Sequence, residues 1–191
     1  DEIAAYAEEI GDIRRDIHAH PETAFEEFRT ADIVAEKLTD YGLKVHRGLA
    51  KTGVVGTLSV GDSNRAIGLR ADLDALDILE ENSFDHASTI DGKMHACGHD
   101  GHTAMLLGAA RYLSDTQNFN GTVHFIFQPA EENVAGGRVM VADGLFELFP
   151  VEAVYGMHNT PGMPVGQFGV TLGEAMASAD MFTIEITGKG S

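Results

Sequence analysis

The stretch that most restricts the fold is GTVHFIFQ, residues 121–128. Its apolar side chains are too continuous for a strand that keeps one face in water. Such a strand is covered on both faces, as in largely parallel sheets sandwiched by helices. Its surroundings supply the helices. Ile3, Tyr6, Ile10, Ile13 and Ile17 recur at helical spacing and predict a helix over 2–18, broken by Pro21. A second helix is predicted over 26–41, with Phe28, Ala31, Val34, Ala35, Leu38 and Tyr41 on one side and Gly42 as its stop.

Short β-rich runs follow, LKVHR, GVVGTLSV and AIGLRAD, and Gly61-Asp62-Ser63-Asn64 is expected to join the last two as a hairpin. Residues 103–113 and 134–147 read as helices, and AVYGMH (153–158) as a further strand. Helices alternating with apolar strands predict an α/β sandwich with a mixed, largely parallel sheet. With 191 residues, 43% of them hydrophobic, the chain can bury one substantial core. Near its end, Phe182, Ile184 and Ile186 alternate with Thr183, Glu185 and Thr187, which predicts a half-buried strand needing a covering layer. The expected organisation is therefore a main domain over 1–178 and the first strand of another over 179–191.

Thirteen basic against 30 acidic residues leave a net charge of −17. So acidic a surface repels phosphate backbones and anionic membranes, which excludes nucleic acid and membrane as expected partners. The single cysteine, Cys97, cannot form an internal disulfide. No apolar run approaches the ~18 residues of a membrane span. The opening DEIAAYAEEIGDIRRDIHAH is amphipathic rather than signal-like, so the cytoplasm is the expected compartment.

Chemistry-bearing residues gather where the strands end. GKMHACGHDGHTAMLLGAARYL (92–113) packs His95, Cys97, His99, Asp100 and His102 into eight positions. Residues i and i+2 share one side of an extended segment, not a helix face. Cys97 and His99 could thus ligate together on extended backbone just before a helix starting near Gly101. Thiolate and imidazole suit zinc or a similar transition metal, with Asp100 or His102 capping or orienting the turn. Taken alone, the pattern also fits a small buried cysteine beside hydrogen-bonded histidines.

Glu131 and Glu132 follow the buried strand directly. Adjacent carboxylates diverge in extended backbone, so one can hold a metal while the other serves as general base; alternatively both begin a helix, favoured by its dipole. His158 closes the 153–158 strand as a ligand candidate or as a hydrogen-bonded strand end. Asp72 and Asp74 follow another apolar strand, as ligands, as carboxylates orienting a histidine, or as an Asp-rich turn. Together the set suits two adjacent divalent ions with a carboxylate base, the equipment of a metal-assisted hydrolase. Two rival readings stand beside it. A thiol nucleophile, Cys97 with His95 or His99, leaves Glu131, Glu132 and His158 unused. A non-catalytic metal-binding or interaction module uses the ligands without a base.

The segments IRRDIHAHPE, RADLDAL, MHACGHDGHTAMLLGAA, FQPAEE, GMHNTPGMPVGQFGV and ITGKGS occur in that order. Over about residues 13–191 the chain resembles the amidohydrolase branch of the co-catalytic metallopeptidases, which includes hippurate hydrolase, N-acyl-amino-acid amidohydrolases and indoleacetyl-amino-acid hydrolases. The resemblance implies a zinc-peptidase-like, three-layer catalytic domain that hydrolyses the amide of N-acyl amino acids with metal-activated water. It implies Cys97, His99, Glu132 and His158 as metal ligands, Cys97 standing where relatives use a bridging carboxylate. It implies Glu131 as general base and keeps Asp72 and Asp74 as supporting carboxylates. The His18-Ala19-His20-Pro21 motif receives no ligand role. Two divalent ions are implied, Mn²⁺ or Zn²⁺, with Ni²⁺ or Co²⁺ also compatible.

The sequence departs from the family at Asp77, where Pro usually follows DAL; this alters a loop near the site and removes no ligand. The resemblance further implies a smaller domain inserted after about Ala179, carrying dimer or tetramer contacts and substrate-binding groups, and one last His ligand after it. The 191 residues are accordingly expected not to complete the dinuclear site by themselves.

Overall fold

A computed structural model describes residues 3–174, 176–177 and 182–190. The chain divides into two compact units, Asp1–Asn159 and Thr160–Ser191. In the first, a short 3-10 turn leads into α1 (Ala7–Ala19), followed by α2 (Phe28–Asp40), β1 (Lys44–Leu49), β2 (Gly53–Val60) and β3 (Ala66–Asp72). Then come α3 (His99–Thr116), β4 (Gly121–Gln128), the short helices α4 (Glu131–Val134), α5 (Gly136–Ala142) and α6 (Leu145–Leu148), and β5 (Val154–Gly156).

The sheet order is β1-β2-β4-β3-β5. β3 lies parallel to β4 and to β5, whereas β2 is antiparallel to both β1 and β4. Only β2 therefore runs against the other four, and the sheet is mixed and largely parallel. β4 takes the centre because both its faces are apolar. Val123, Phe125 and Phe127 join Ile13, Ile17, Val34, Leu38 and Leu107 under α1, α2 and α3. Ile126 faces the other way, into a smaller core with Val55, Met140 and Leu145. Helices on both faces make three layers, the arrangement the continuous strand demanded. Full burial of Phe125 and Phe127 stabilises the fold by roughly 1.5–3 kcal/mol each relative to exposure.

The hairpin expected at Gly61-Asp62-Ser63-Asn64 does not form. β4 inserts between β2 and β3, a position that covers both its apolar faces. The 61–64 turn is tied to it instead, since Asn120 Oδ1 accepts the backbone N–H of Asp62 (3.1 Å) and Ser63 (2.9 Å). The helix expected over 134–147 is interrupted, because Ala135 (φ +54°) and Gly144 (φ +95°) take the left-handed conformation. The strand expected over 153–158 pairs only along Val154–Gly156.

In the second unit, described residues carry turns but no helix or strand. The half-buried strand expected at 182–187 is not found: Phe182, Ile184 and Ile186 are exposed and no partner strand is present among the described residues to hydrogen-bond it. The boundary expected near Ala179 falls on residues 178–181, outside the described residues.

Candidate metal centre

Parallel pairing of β3, β4 and β5 brings their C-terminal ends to one sheet edge, the place where open α/β sheets carry their sites. Asp72 ends β3, Glu131 and Glu132 follow β4, and His158 follows β5. α3 starts at the same edge with His99. Its N-cap, Gly98, has φ +89°, and a Cβ there would lie 2.5 Å from the Asn159 side chain. Glycine is thus required both by the turn and by its neighbour. Asn159 braces this turn, donating from Nδ2 to the Gly98 carbonyl (3.2 Å) and from its backbone N–H to His102 Nε2 (3.0 Å).

His99 is at the centre. Fully buried, it donates from Nδ1 to Asp74 Oδ1 at 3.2 Å, which leaves the Nε2 lone pair facing inward. Nε2 lies 3.7 Å from Asp72 Oδ2, 3.7 Å from Glu132 Oε1 and 4.0 Å from Glu131 Oε2. Cys97 Sγ is 3.4 Å from His158 Nε2. Three groups of ligand atoms result, each within 4.8 Å: Cys97 with His99 and His158, His99 with Glu131 and Glu132, and Asp72 with His99 and His102. Of the last three, His102 has both ring nitrogens engaged, Nδ1 donating to Asp72 Oδ1 at 2.6 Å and Nε2 accepting from Asn159. Asp74 ties two loops together, since its Oδ2 also accepts the Glu132 N–H at 3.0 Å.

The electrostatics fit a cation. Glu132 Oε1 is shut off from water with no hydrogen-bond partner among the described residues, an expensive state for a carboxylate oxygen unless something positive meets it. Burial, then the adjacent Glu132 carboxylate, push the Cys97 thiol up to about 12. Burial alone would lower His99, but the Asp74 bond and the charges of Asp72, Asp74 and Glu132 outweigh it and raise its pKa. Burial works against Asp72 ionising, yet the His102 bond and the charges of Arg70 and His99 bring it down to about 2. Carboxylates, thiol and imidazoles crowded together in a net-negative pocket are a donor set that divalent ions match.

A second polar cluster joins residues far apart in the chain. His18 Nδ1 meets Asp100 Oδ2 at 2.9 Å and its Nε2 meets Glu80 Oε1 at 3.2 Å, while Arg14 Nε also donates to Asp100 Oδ2. These contacts pin the loop before α3, and α1, to the residue next to His99. The Asp100 bond raises the His18 pKa, burial opposes it, and the Glu80 bond adds to the rise. A raised pKa contributes stability that is present below about 6.5 and lost as pH climbs through the raised value. His18→Gln is therefore expected to lose roughly 1.5–3 kcal/mol at pH 6, and the gap from the wild type to narrow by pH 9. Urea unfolding at the two pH values measures this, and an equal loss at both would assign the bonds to a neutral imidazole.

The three-layer fold and the acid-rich edge make this an α/β protein with a candidate metal centre at the C-terminal ends of its parallel strands. Residues 68–190 match Peptidase family M20/M25/M40, and the chain belongs to that family. It is 47% identical over 189 residues to hippurate hydrolase of Campylobacter jejuni, covering 99% of this chain and 49% of that protein. It is 45% identical to an N-acyl-L-amino acid amidohydrolase of Geobacillus stearothermophilus, covering 93% of this chain and 48% of that protein. The crystal structure of the Bacillus subtilis YXEP protein, a dinuclear metal binding peptidase from the M20 family, superposes with a TM-score of 0.81 at 41% identity, covering 85% of this chain and 45% of that one. The chain spans about half the length of the curated relatives it matches.

Proposed function

We propose that the protein to which this chain belongs hydrolyses the amide bond of N-acyl amino acids, hippurate-like or N-acetylated, with two divalent ions and a glutamate base. The observation that carries the reading is the convergence of Cys97, His99, Glu131, Glu132 and His158 on one sheet edge, with His99 Nε2 aimed at the carboxylates. The relatives' amidohydrolase activities support the substrate class.

Cys97, His99, Glu132 and His158 would hold the ions, together with a further ligand from outside these residues. Bound divalent ions supply Lewis acidity to the amide carbonyl and acidify the attacking water. Mn²⁺ or Zn²⁺ suits this mixed sulfur, nitrogen and oxygen set, and Ni²⁺ or Co²⁺ is compatible with it. The chain's own residues do the rest. Asp74 holds the His99 ring so that Nε2 is the ligating nitrogen. Glu131, exposed at the edge and without a ligand role, accepts a proton from the attacking water on its carboxylate. It then returns that proton to the departing amine nitrogen, so the products are a free carboxylate and a free amino acid. The thiol-nucleophile reading fits poorly. A reactive thiolate needs an electropositive setting, and Cys97 lies among carboxylates with its pKa pushed up to about 12.

The test is metal analysis of the full-length protein together with a substrate panel. Two ions per chain and release of free amino acid from N-benzoyl or N-acetyl substrates are expected. Failure to cleave any acylated amino acid would favour the non-catalytic metal-binding module. The family resemblance also supports a homodimer or tetramer.

A further inference from the structure

We infer that Glu27 is a positioning residue for the turn that carries Glu131 and Glu132. Glu27 precedes α2, far from the sheet edge in sequence, and its side chain is fully buried. One carboxylate oxygen, Oε1, accepts the backbone N–H of Ala130 at 2.9 Å; the other accepts the hydroxyl of Thr52 at 2.6 Å. Ala130 is the residue immediately before Glu131, and its φ of +54° is a conformation that L side chains seldom adopt. Something outside the turn must hold it there.

Two further contacts show how. The Ala130 carbonyl accepts the N–H of Gly136 at 2.9 Å, closing the 130–136 loop. That closure requires glycine, since a Cβ on Gly136 would fall 1.8 Å from the Pro129 carbonyl oxygen. Two residues past Ala130, Asp74 Oδ2 takes the Glu132 N–H. The turn thus has its amides gripped from opposite sides by two buried acids, Asp74 from the β3 end and Glu27 from the α2 start. Asp74 shares in the ligand-orienting contacts through His99, whereas the Glu27 carboxylate bonds the Ala130 amide and the Thr52 hydroxyl. A buried carboxylate is a poor choice for filling space, because an apolar side chain of the same size is usually as stabilising or more so. Its burial and the nearby Asp74 push the Glu27 pKa up, so the fold keeps this acid inside against its own solvation.

The inference rests on Glu131 being the base, and the experiment separates the two. In full-length, metal-loaded protein, Glu27→Met keeps side-chain length but has no oxygen to accept the Ala130 N–H, whereas Glu27→Gln keeps an acceptor. Glu27→Met is expected to lower kcat about 10- to 100-fold, the effect of removing an orienting partner, with KM within about threefold and both metal ions retained. Amide hydrogen exchange at 130–132, read on metal-free as well as loaded protein, is expected to quicken at least about tenfold. Glu27→Gln should restore kcat to within about threefold of the wild type. Thr52→Val frees the other oxygen while leaving the Ala130 bond, and should also stay within about threefold.

Unchanged kcat and exchange in Glu27→Met would overturn the inference. So would a loss that merely follows the folded or metal-bound fraction, or an equal loss in Glu27→Gln or Thr52→Val. Glu131→Gln, run alongside, tests the base itself. If Glu131→Gln still turns over, the base reading fails while the exchange result continues to judge Glu27. If it is inert and Glu27→Met is fully active, only the positioning role fails.

Discussion

Glu131→Gln in the full-length protein is expected to lower kcat on N-acyl amino acids by about 10²–10⁴-fold, the range a positioned general base supplies, with both metal ions still bound. The substitution preserves shape and removes only the ability to take a proton. Glu131 is exposed at the edge, 4.0 Å from His99 Nε2 and without an oxygen left unpartnered in the interior. Its neighbour Glu132 is the reverse, with a buried, partnerless oxygen aimed at His99. This division of environment is the reason to assign proton transfer to the first and ligation to the second. Kinetics paired with metal analysis by mass spectrometry checks it. Loss of an ion along with activity would make Glu131 a ligand, and retained turnover would remove it from the mechanism altogether.

Why these residues could be read from the chain, and others could not, follows from range. The apolar continuity of 121–128 is local information, and it implied a strand covered on both faces, which is where Phe125, Ile126 and Phe127 now lie. Strand order is not local. The 61–64 turn has ordinary hairpin chemistry, but the central place belongs to β4, and its pairing partners lie about sixty residues away in sequence. The same limit governs the helix over 134–147. Gly144 announces a break, whereas Ala135 adopts φ +54° with nothing in its side chain to signal it.

At the candidate site, the types and spacing of Cys97, His99, Glu131, Glu132 and His158 suggested a shared edge before any coordinates did. Parallel strands make that inference possible, since every parallel strand end delivers its following loop to one side. The supporting contacts are different. His18 meets Asp100, and Glu27 meets Ala130, across separations of 82 and 103 residues. Neither pairing is announced by the spacing of its two residues in the chain. For His18, the clue available in the sequence was a histidine at the inner face of an amphipathic helix. For Glu27, the only clue was an acid directly before a helix, which ordinarily reads as a solvated helix start.

Cys97→Asp is expected to keep the metal site while changing how it responds to pH. In the metal-free protein burial, and then Glu132, push the thiol pKa up to about 12. At neutral pH the thiol is therefore protonated, and a metal binding through sulfur must expel that proton. The sign follows directly. Raising the pH lowers the proton's competition, so apparent metal affinity should climb with pH and gain about tenfold per unit from this one group across pH 6–9. An aspartate's ordinary pKa lies several units lower, so even when the same surroundings push it up it is ionised over more of that range, and the slope of log affinity against pH should fall in the variant. Carboxylate is also a ligand type that the same divalent ions accept, which is why some binding and some turnover should survive. Isothermal titration in buffers of differing ionisation enthalpy counts the released protons directly. The wild type should release more protons per chain than the variant, by up to about one. A thiol nucleophile makes the opposite forecast, with metal content and its pH slope unchanged and turnover abolished. An equal proton count in the two proteins would remove Cys97 from the ligand set, leaving the thiol merely packed beside His158 at 3.4 Å.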